Sequence, residues 1–251
     1  MIKQLLTTTL LSVLCILAVP IEALVNIEAL RKQQPNEGLN HSLDFSTEAL
    51  SGNSDYFGIK TGYRLDYHRN GQDFLVVAHY QQASSSGEEI QNKHFVHVRN
   101  SKALTDRSKR ELFIQQSENS FINLQKRLLL GITYRRSLIQ STTFQCDIST
   151  GLMHEEERLV NDTSSQLLRS SNYLVLNHVT QRGIQFNSVS YAQFALSDVS
   201  DYRVLSDISA IVPITSQLDL KNTLSYRYDS NAADDIKHYD IEFSQGIVFH
   251  F

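Results

Sequence analysis

The sequence predicts an all-β protein: a closed antiparallel transmembrane β-barrel of about twelve strands, of the outer-membrane type, preceded by a cleavable signal peptide. Three observations lead to this prediction: an apolar segment at the start, apolar and polar residues that alternate with period two along the remainder, and an aromatic final strand. Successive side chains of a strand lie on opposite faces, so the alternation gives each strand one apolar and one polar face.

Residues 1–23 have the features of an export signal. Lys3 precedes an apolar run that extends to Val19, and the small residue Ala23 marks the expected cleavage point. A single transmembrane helix is the alternative, but the run is shorter than the ~20 apolar residues that such a helix needs. We therefore expect a signal peptide at 1–23, a periplasmic N-terminal segment at 24–38 and a barrel at 39–251, in the outer membrane of a Gram-negative bacterium.

Composition excludes two other classes of protein. The formal net charge is −4 over 251 residues with no basic block, so no nucleic-acid partner is expected. Cleavage would leave Cys146 as the one remaining cysteine, which excludes an intrachain disulfide.

Twelve segments show the alternation, and most exceed the ~5–6 residues typical of globular strands. They are 39–50, 56–68, 73–83, 91–101, 108–117, 123–137, 143–155, 167–180, 184–196, 202–213, 217–229 and 237–251. Their length suits the ~9–11 residues that cross a membrane when tilted. The predicted lipid-facing residues include Tyr63, Leu65, Leu220, Leu224, Ile241 and Phe243. The opposite face includes Arg64, Asp66, Lys221 and Glu242.

The connections predict which strand ends lie on the periplasmic side. Those from even to odd strands are the short stretches RNG, KALTDR, SLIQST, TQRG and PIT, as expected of periplasmic turns. The longest connection is EERLVNDTSSQ, between the seventh and eighth strands, and it is expected to be an outer-side loop. An even strand count places both ends of the barrel on the periplasmic side.

The last strand has the pattern polar–x–Gly–x–x–aromatic–x–aromatic, formed by Ser244, Gly246, Phe249 and Phe251. This pattern resembles the signal in final strands of bacterial outer-membrane proteins that the barrel assembly machinery recognises. The expected partners are therefore outer-membrane lipid and, during biogenesis, that machinery. The sequence leaves the oligomeric state open.

The chain also resembles a family of uncharacterised proteins described as salt-induced outer-membrane proteins and grouped as a domain of unknown function. The resemblance runs from VNIEALR and GLNHSLDFSTEALSGNSD through ELFIQQSENSFINLQKRLLLGITYR and VSYAQFALSDVSDYRV to IKHYDIEFSQGIVFHF. Its motifs are Arg–Leu–x–x–Gly at 127–131 and Asp–Tyr–Arg at 201–203. The resemblance implies an outer-membrane location and no established activity.

Charges on the predicted inward face are the candidate functional residues. They are Lys60, Arg64, Asp66, Arg127, Arg135, Asp147, Arg203, Asp207, Asp219, Lys221, Arg227, Asp229, Asp240 and Glu242. Such charges either line a selective pore or pair with one another across strands, and pairing is the favoured interpretation. The function that follows is a narrow passive channel or a structural component of the envelope.

Two alternatives stay open at this point. One is an outer-membrane barrel hydrolase, which needs a serine, a histidine and an acid or amide together, and the other is a soluble exported barrel that binds a small ligand. The sequence contains no catalytic motif, metal-ligand spacing or cofactor-binding motif, so we expect no enzyme activity, no metal and no cofactor. The charged stretch from His154 to Arg158 lies in or beside the longest predicted loop; a cation site there is conceivable, but a solvated loop is the favoured interpretation.

Overall fold

Twelve antiparallel strands follow one another in a single sheet, each hydrogen-bonded to the next along the chain. The computed structural model describes residues 37–50, 56–215, 218–232 and 237–249. The strands are β1 (Gly38–Leu50), β2 (Tyr56–Arg69), β3 (Gln72–Ser85), β4 (Glu88–Thr105), β5 (Ser108–Asn119), β6 (Leu124–Gln140), β7 (Phe144–Leu159), β8 (Ser164–Val179), β9 (Gln185–Ala195), β10 (Tyr202–Pro213), β11 (Leu218–Asp229) and β12 (Tyr239–Phe249). Each of the twelve predicted strands is present.

Two-residue turns fix the register of two hairpins. Asn70 and Gly71 join β2 to β3 with φ of 50° and 71°, and Ser86 and Gly87 join β3 to β4 with φ of 53° and 84°. Positive φ at both central positions is the type I′ geometry, whose twist matches that of the flanking strands. Glycine is required at the second position because other residues rarely adopt such a φ.

The predicted long loop between the seventh and eighth strands is wrong. β7 continues to Leu159 and β8 begins at Ser164, so only a four-residue turn separates them. Glu155, Glu156 and Glu157 follow one another, so the apolar side chains of the exposed face are interrupted at Glu156. The alternation of burial nevertheless continues: Glu155 is buried, Glu156 is exposed and Glu157 is half-buried. The acidic stretch is therefore strand and not solvated loop.

The two faces of the sheet are inverted relative to a soluble protein. Charged side chains are buried on one face, with Glu111 and Asp147 both 0% exposed, while large apolar side chains are exposed on the other, with Leu130 60% and Phe243 66% exposed. The predicted lipid-facing residues Tyr63, Leu224, Ile241 and Phe243 are all exposed, and Leu65 and Leu220 are half-buried. Two small apolar clusters share the buried face with the charges; they are Leu75, Val77 and Phe95, and Tyr173, Val175, Val189, Tyr191 and Leu205.

The sheet curves toward its charged face. The Tyr173 hydroxyl on β8 donates a hydrogen bond of 2.7 Å to Glu111 Oε2 on β5. In a flat sheet these strands would be three spacings, or about 14 Å, apart, which is farther than the two side chains reach together. The charged face is therefore concave, and the exposed apolar face is convex.

No helix within the described ranges is long and apolar enough to cross a membrane.

Candidate functional site

Three arginines and four carboxylates meet on the concave face near the β7–β8 turn. We call this group the arginine cluster; it consists of Arg127 on β6, Glu155 and Glu157 on β7, Arg169 on β8, Asp201 before β10, Arg203 on β10 and Asp229 on β11. Its members come from five strands and one loop, so it ties together half of the sheet.

Glu155 is the centre of the arginine cluster. Its side chain is 1% exposed, and Arg169 Nε donates to Oε1 at 2.8 Å while Arg203 Nη1 donates to Oε2 at 2.5 Å. Arg127 Nε lies 3.9 Å from the same Oε2. Both carboxylate oxygens thus face guanidinium groups, which compensates the cost of burying the charge.

Glu157 lies two residues farther along β7, on the same face, and forms a second set of ion pairs with the arginines. Arg127 Nε donates to its Oε2 at 2.7 Å, and Arg203 Nη2 donates to the same oxygen at 3.1 Å. Arg203 Nε also donates to Asp229 Oδ2 at 2.7 Å. Because β10 and β7 are three strands apart, Arg203 spans the concave face much as Tyr173 does.

The loop before β10 supplies the last carboxylate. Arg169 Nη1 and Nη2 donate to Asp201 Oδ1 and Oδ2 at 2.8 and 3.0 Å, a bidentate pair. The loop is held by Asp198, which accepts hydrogen bonds from the Ser200 hydroxyl at 2.6 Å and the Ser200 backbone N–H at 2.9 Å. These two bonds, the hydroxyl first, lower the pKa of Asp198 from its ordinary value because both donors stabilise the charged carboxylate.

The arginine cluster has nearly balanced charge. Three guanidinium groups face four carboxylates, which leaves a net charge of −1. Charges that are paired across the concave face stabilise one arrangement of the strands. Because positive and negative charges nearly balance, this face should have only a weak preference for anions or cations.

A second group of polar contacts surrounds Glu111 near the middle of the sheet, and we call it the Glu111 cluster. Besides Tyr173, its carboxylate accepts hydrogen bonds from Ser101 Oγ and Thr133 Oγ1, both at 3.3 Å. Arg99 Nη1 lies 3.5 Å from Oε2. The cluster therefore joins β4, β5, β6 and β8 across the concave face.

Arg135 connects the Glu111 cluster to Asp147. Its guanidinium lies over the Tyr173 ring at 5.8 Å from the centroid, and its Nη2 donates to Asp147 Oδ2 at 2.6 Å. Gln145 Nε2 donates to the same oxygen at 2.6 Å. Tyr173 is thus fixed by a hydrogen bond at its hydroxyl and by a cation on its ring face.

The sequence from 43 to 251 matches the family described as "Protein of unknown function, DUF481". The chain belongs to this family. The resemblance noted from the sequence is thereby confirmed, and it carries no established activity. No curated protein matches the chain.

Among solved structures, this DUF481 protein is similar to two bacterial outer-membrane proteins. One is described as the NanC porin, with 9% identity, a TM-score of 0.51, and coverage of 85% of this chain and 99% of the porin chain. The other is the β-domain of the Bordetella autotransporter BrkA, with 12% identity, a TM-score of 0.41, and coverage of 85% and 99%. At 9% identity, the similarity to the porin is one of fold alone.

The two sequence motifs of this DUF481 chain converge on the arginine cluster. Arg127 begins the first motif, and Asp201 and Arg203 frame the second. Gly131, which ends the first motif, leaves space for an aromatic ring on β5, since a Cβ there would lie 2.3 Å from Phe113 Cζ. The motifs therefore serve the packing and pairing of the concave face.

Most predicted inward charges lie on the concave face. Arg127, Arg203 and Asp229 belong to the arginine cluster, Arg135 pairs with Asp147, and two further pairs are Arg227 with Asp207 at 2.7 Å and Arg64 with Asp66 at 2.5 Å. Asp219, Lys221 and Asp240 are half-buried. The side chains of Lys60, Glu242, Ser244, Gly246 and Phe249, and all of Phe251, lie outside what the structure describes, as do residues 1–36 with the predicted signal peptide.

The central carboxylates of both clusters are not among the residues predicted from the sequence. Glu155 ends the predicted seventh strand and Glu157 falls in the predicted loop after it, but counting in steps of two from Asp147 along β7 places both on the buried face. Glu111 lies in phase with buried Gln115 and Ser117 on β5, so the same count would have found it. Within the described ranges, no group of histidine, cysteine and acidic residues is arranged to hold a metal ion.

Proposed function

We propose that this protein is an integral outer-membrane β-barrel that acts as a narrow passive channel, its interior constricted by ion pairs. The exposed apolar convex face, with Leu130 60% and Ile132 48% exposed, is the surface that lipid would cover. In water the same surface would be an unusually large apolar patch, which disfavours the soluble ligand-binding barrel. The similarity of fold to a porin supports the same location.

The proposal includes closure of the sheet, in which β12 would pair with β1. Closure removes the two exposed edges, whose unpaired backbone groups have no hydrogen-bonding partners in lipid. The even number of strands would then place both ends of the barrel on one side, the periplasmic side.

The observation that carries the proposal is that side chains from strands three apart touch across the concave face. Tyr173 reaches Glu111, and Arg203 reaches Glu155 and Glu157. A barrel of about twelve strands is wider than the eight-stranded kind whose interior side chains fill, so some passage would remain beside these contacts. Balanced pairing would give small conductance and weak charge preference.

Planar-bilayer conductance of the refolded protein tests this proposal. We expect small, stable channels that exclude large solutes in liposome swelling, and a larger conductance for Tyr173→Phe, which loses the hydrogen bond to Glu111. Tyr134→Phe is the matched control, because Tyr134 is 42% exposed on the convex face and should leave conductance unchanged. A porin-sized pore in the unaltered protein would refute the constriction, and complete silence would favour a structural role in the envelope.

A further inference from the structure

The convex face carries an arc of basic residues at one end only. Arg69 on β2, Lys102 on β4, Arg110 on β5 and Arg136 on β6 are all exposed, and each lies within a few residues of the turn that joins an even strand to the next odd one. We call these four residues the basic arc. The opposite end of the same face carries both signs, with Glu118, Lys126, Glu156 and Arg158.

The basic arc brings like charges together. Lys102 and Arg110 are direct register partners, so their Cβ atoms lie about 4.5–5.5 Å apart, and like charges directly opposite destabilise a pair of strands. Arg110 also faces Tyr134, which places Arg136 on the diagonal at about 7–8 Å. In the part of the chain that the structure describes, none of the four cations forms an ion pair.

An apolar surface begins immediately beside the arc. Tyr67 and Leu112 lie two residues, or about 6.7 Å, nearer the strand centres than Arg69 and Arg110, and their register partners on the same face are Phe74 and Ile132. The exposed fractions of Tyr67, Phe74, Leu112 and Ile132 are 37%, 37%, 40% and 48%. A ligand that satisfies both surfaces needs an anionic group next to a hydrocarbon chain. A dissolved anion fits the cations alone and leaves the apolar surface uncovered.

We propose that the basic arc binds the phosphate headgroup of an anionic glycerophospholipid in the periplasmic leaflet. The lipid phosphate would lie between Lys102 and Arg110 and screen their repulsion, and its acyl chains would lie along Leu112 and Ile132. Arg136 would contact the next headgroup from the diagonal position. This inference rests on the proposed membrane location and adds to it a preference for lipid class and an orientation.

Lipid binding to the refolded barrel in nanodiscs tests the inference. Native mass spectrometry compares retained phosphatidylglycerol with phosphatidylcholine of identical chains, for the unaltered protein and for Lys102→Gln/Arg110→Gln. We expect the double variant to bind phosphatidylglycerol about 30-fold more weakly, because each cation near an anionic lipid surface strengthens binding about fivefold. Phosphatidylcholine retention should not change.

Lys126→Gln/Arg158→Gln is the matched control, since it removes two exposed cations from the other end of the same face. It should keep the preference for phosphatidylglycerol, and added inorganic phosphate should not displace the lipid. Equal retention by both double variants, displacement by free phosphate, or a preference for lipid A would each overturn the inference. A protein that fails to enter nanodiscs at all would instead refute the membrane location, so the two failures are distinguishable.

Discussion

At the scale of single residues, the burial of a glutamate, and not its charge alone, decides how much it contributes to the stability of the fold. Glu155 and Glu156 are neighbours on β7, but the first is 1% exposed between two arginines while the second is exposed on the convex face. Replacing Glu155 leaves Arg169 and Arg203 buried with an incomplete set of partners, whereas replacing Glu156 removes only a 3.3 Å contact with His154.

Glu155→Ala is therefore expected to destabilise the folded protein by about 3–5 kcal/mol, the usual effect of breaking a buried ion pair. Glu156→Ala should change the free energy of unfolding by about 0.5 kcal/mol or less. Urea unfolding of both variants in lipid vesicles measures the difference. Equal stabilities would mean that the arginine cluster contributes nothing to the fold.

Gly131 shows a second residue-scale constraint, because its missing side chain is where the Phe113 ring lies. Gly131→Ala should cost about 1–3 kcal/mol, the usual effect of overpacking. Combining it with Phe113→Ala should recover part of that loss, since the ring is then absent. A double-mutant cycle measured by urea unfolding checks the coupling, and strictly additive effects would contradict it.

At the scale of the strand, the period-two pattern predicts all twelve described strands because each is amphipathic on its own, whereas it gives no sign of the short 3-10 helix at Ser120–Ile122. Positions such as Tyr63 and Arg64 are assigned to opposite faces by local sequence alone. The pattern is misread most at β7, where Glu156 and Glu157 are predicted to lie in an outer loop. The predicted turns KALTDR and SLIQST are also too long, because β4 continues to Thr105 and β6 to Gln140. Contacts such as that between Tyr173 and Glu111 cannot be predicted from the sequence, because they depend on the curvature of the sheet and on the stagger of strands far apart in sequence.

The final strand is expected to direct assembly through its aromatic pattern. Deleting Phe251, or making Phe249→Asp, should lower the amount of folded barrel in the outer membrane several-fold and leave export and signal cleavage intact. Phe251→Tyr is the control, since it keeps an aromatic ring that can anchor at the membrane interface. Cell fractionation with heat-modifiable gel migration measures folded protein, and unchanged levels after the deletion would count against an assembly role.

At the scale of the whole molecule, the inversion of its two faces connects sequence, fold and proposed location. A soluble barrel of this size would bury its leucines and expose its arginines, yet here Arg169 is 1% and Leu130 is 60% exposed. Arginines paired on a concave face and leucines on a convex one are the arrangement expected of a barrel surrounded by lipid, which is the location proposed for this chain.

Leu130→Arg tests whether lipid or water covers the convex face. Leu130 lies in the middle of β6 on the convex face, and a buried arginine there should cost about 2–4 kcal/mol if the face is covered by lipid. Gln116→Arg, an exposed position on the same face nearer the end of β5, should cost about 0–1 kcal/mol because the side chain can reach the interface. If water covered this face, Leu130→Arg and Gln116→Arg would change the free energy of unfolding equally little, since exposed surface substitutions rarely change it by more than about 0.5 kcal/mol. Folding titrations of both variants in lipid vesicles would therefore separate a membrane barrel from a soluble one by a difference of about 2 kcal/mol or more.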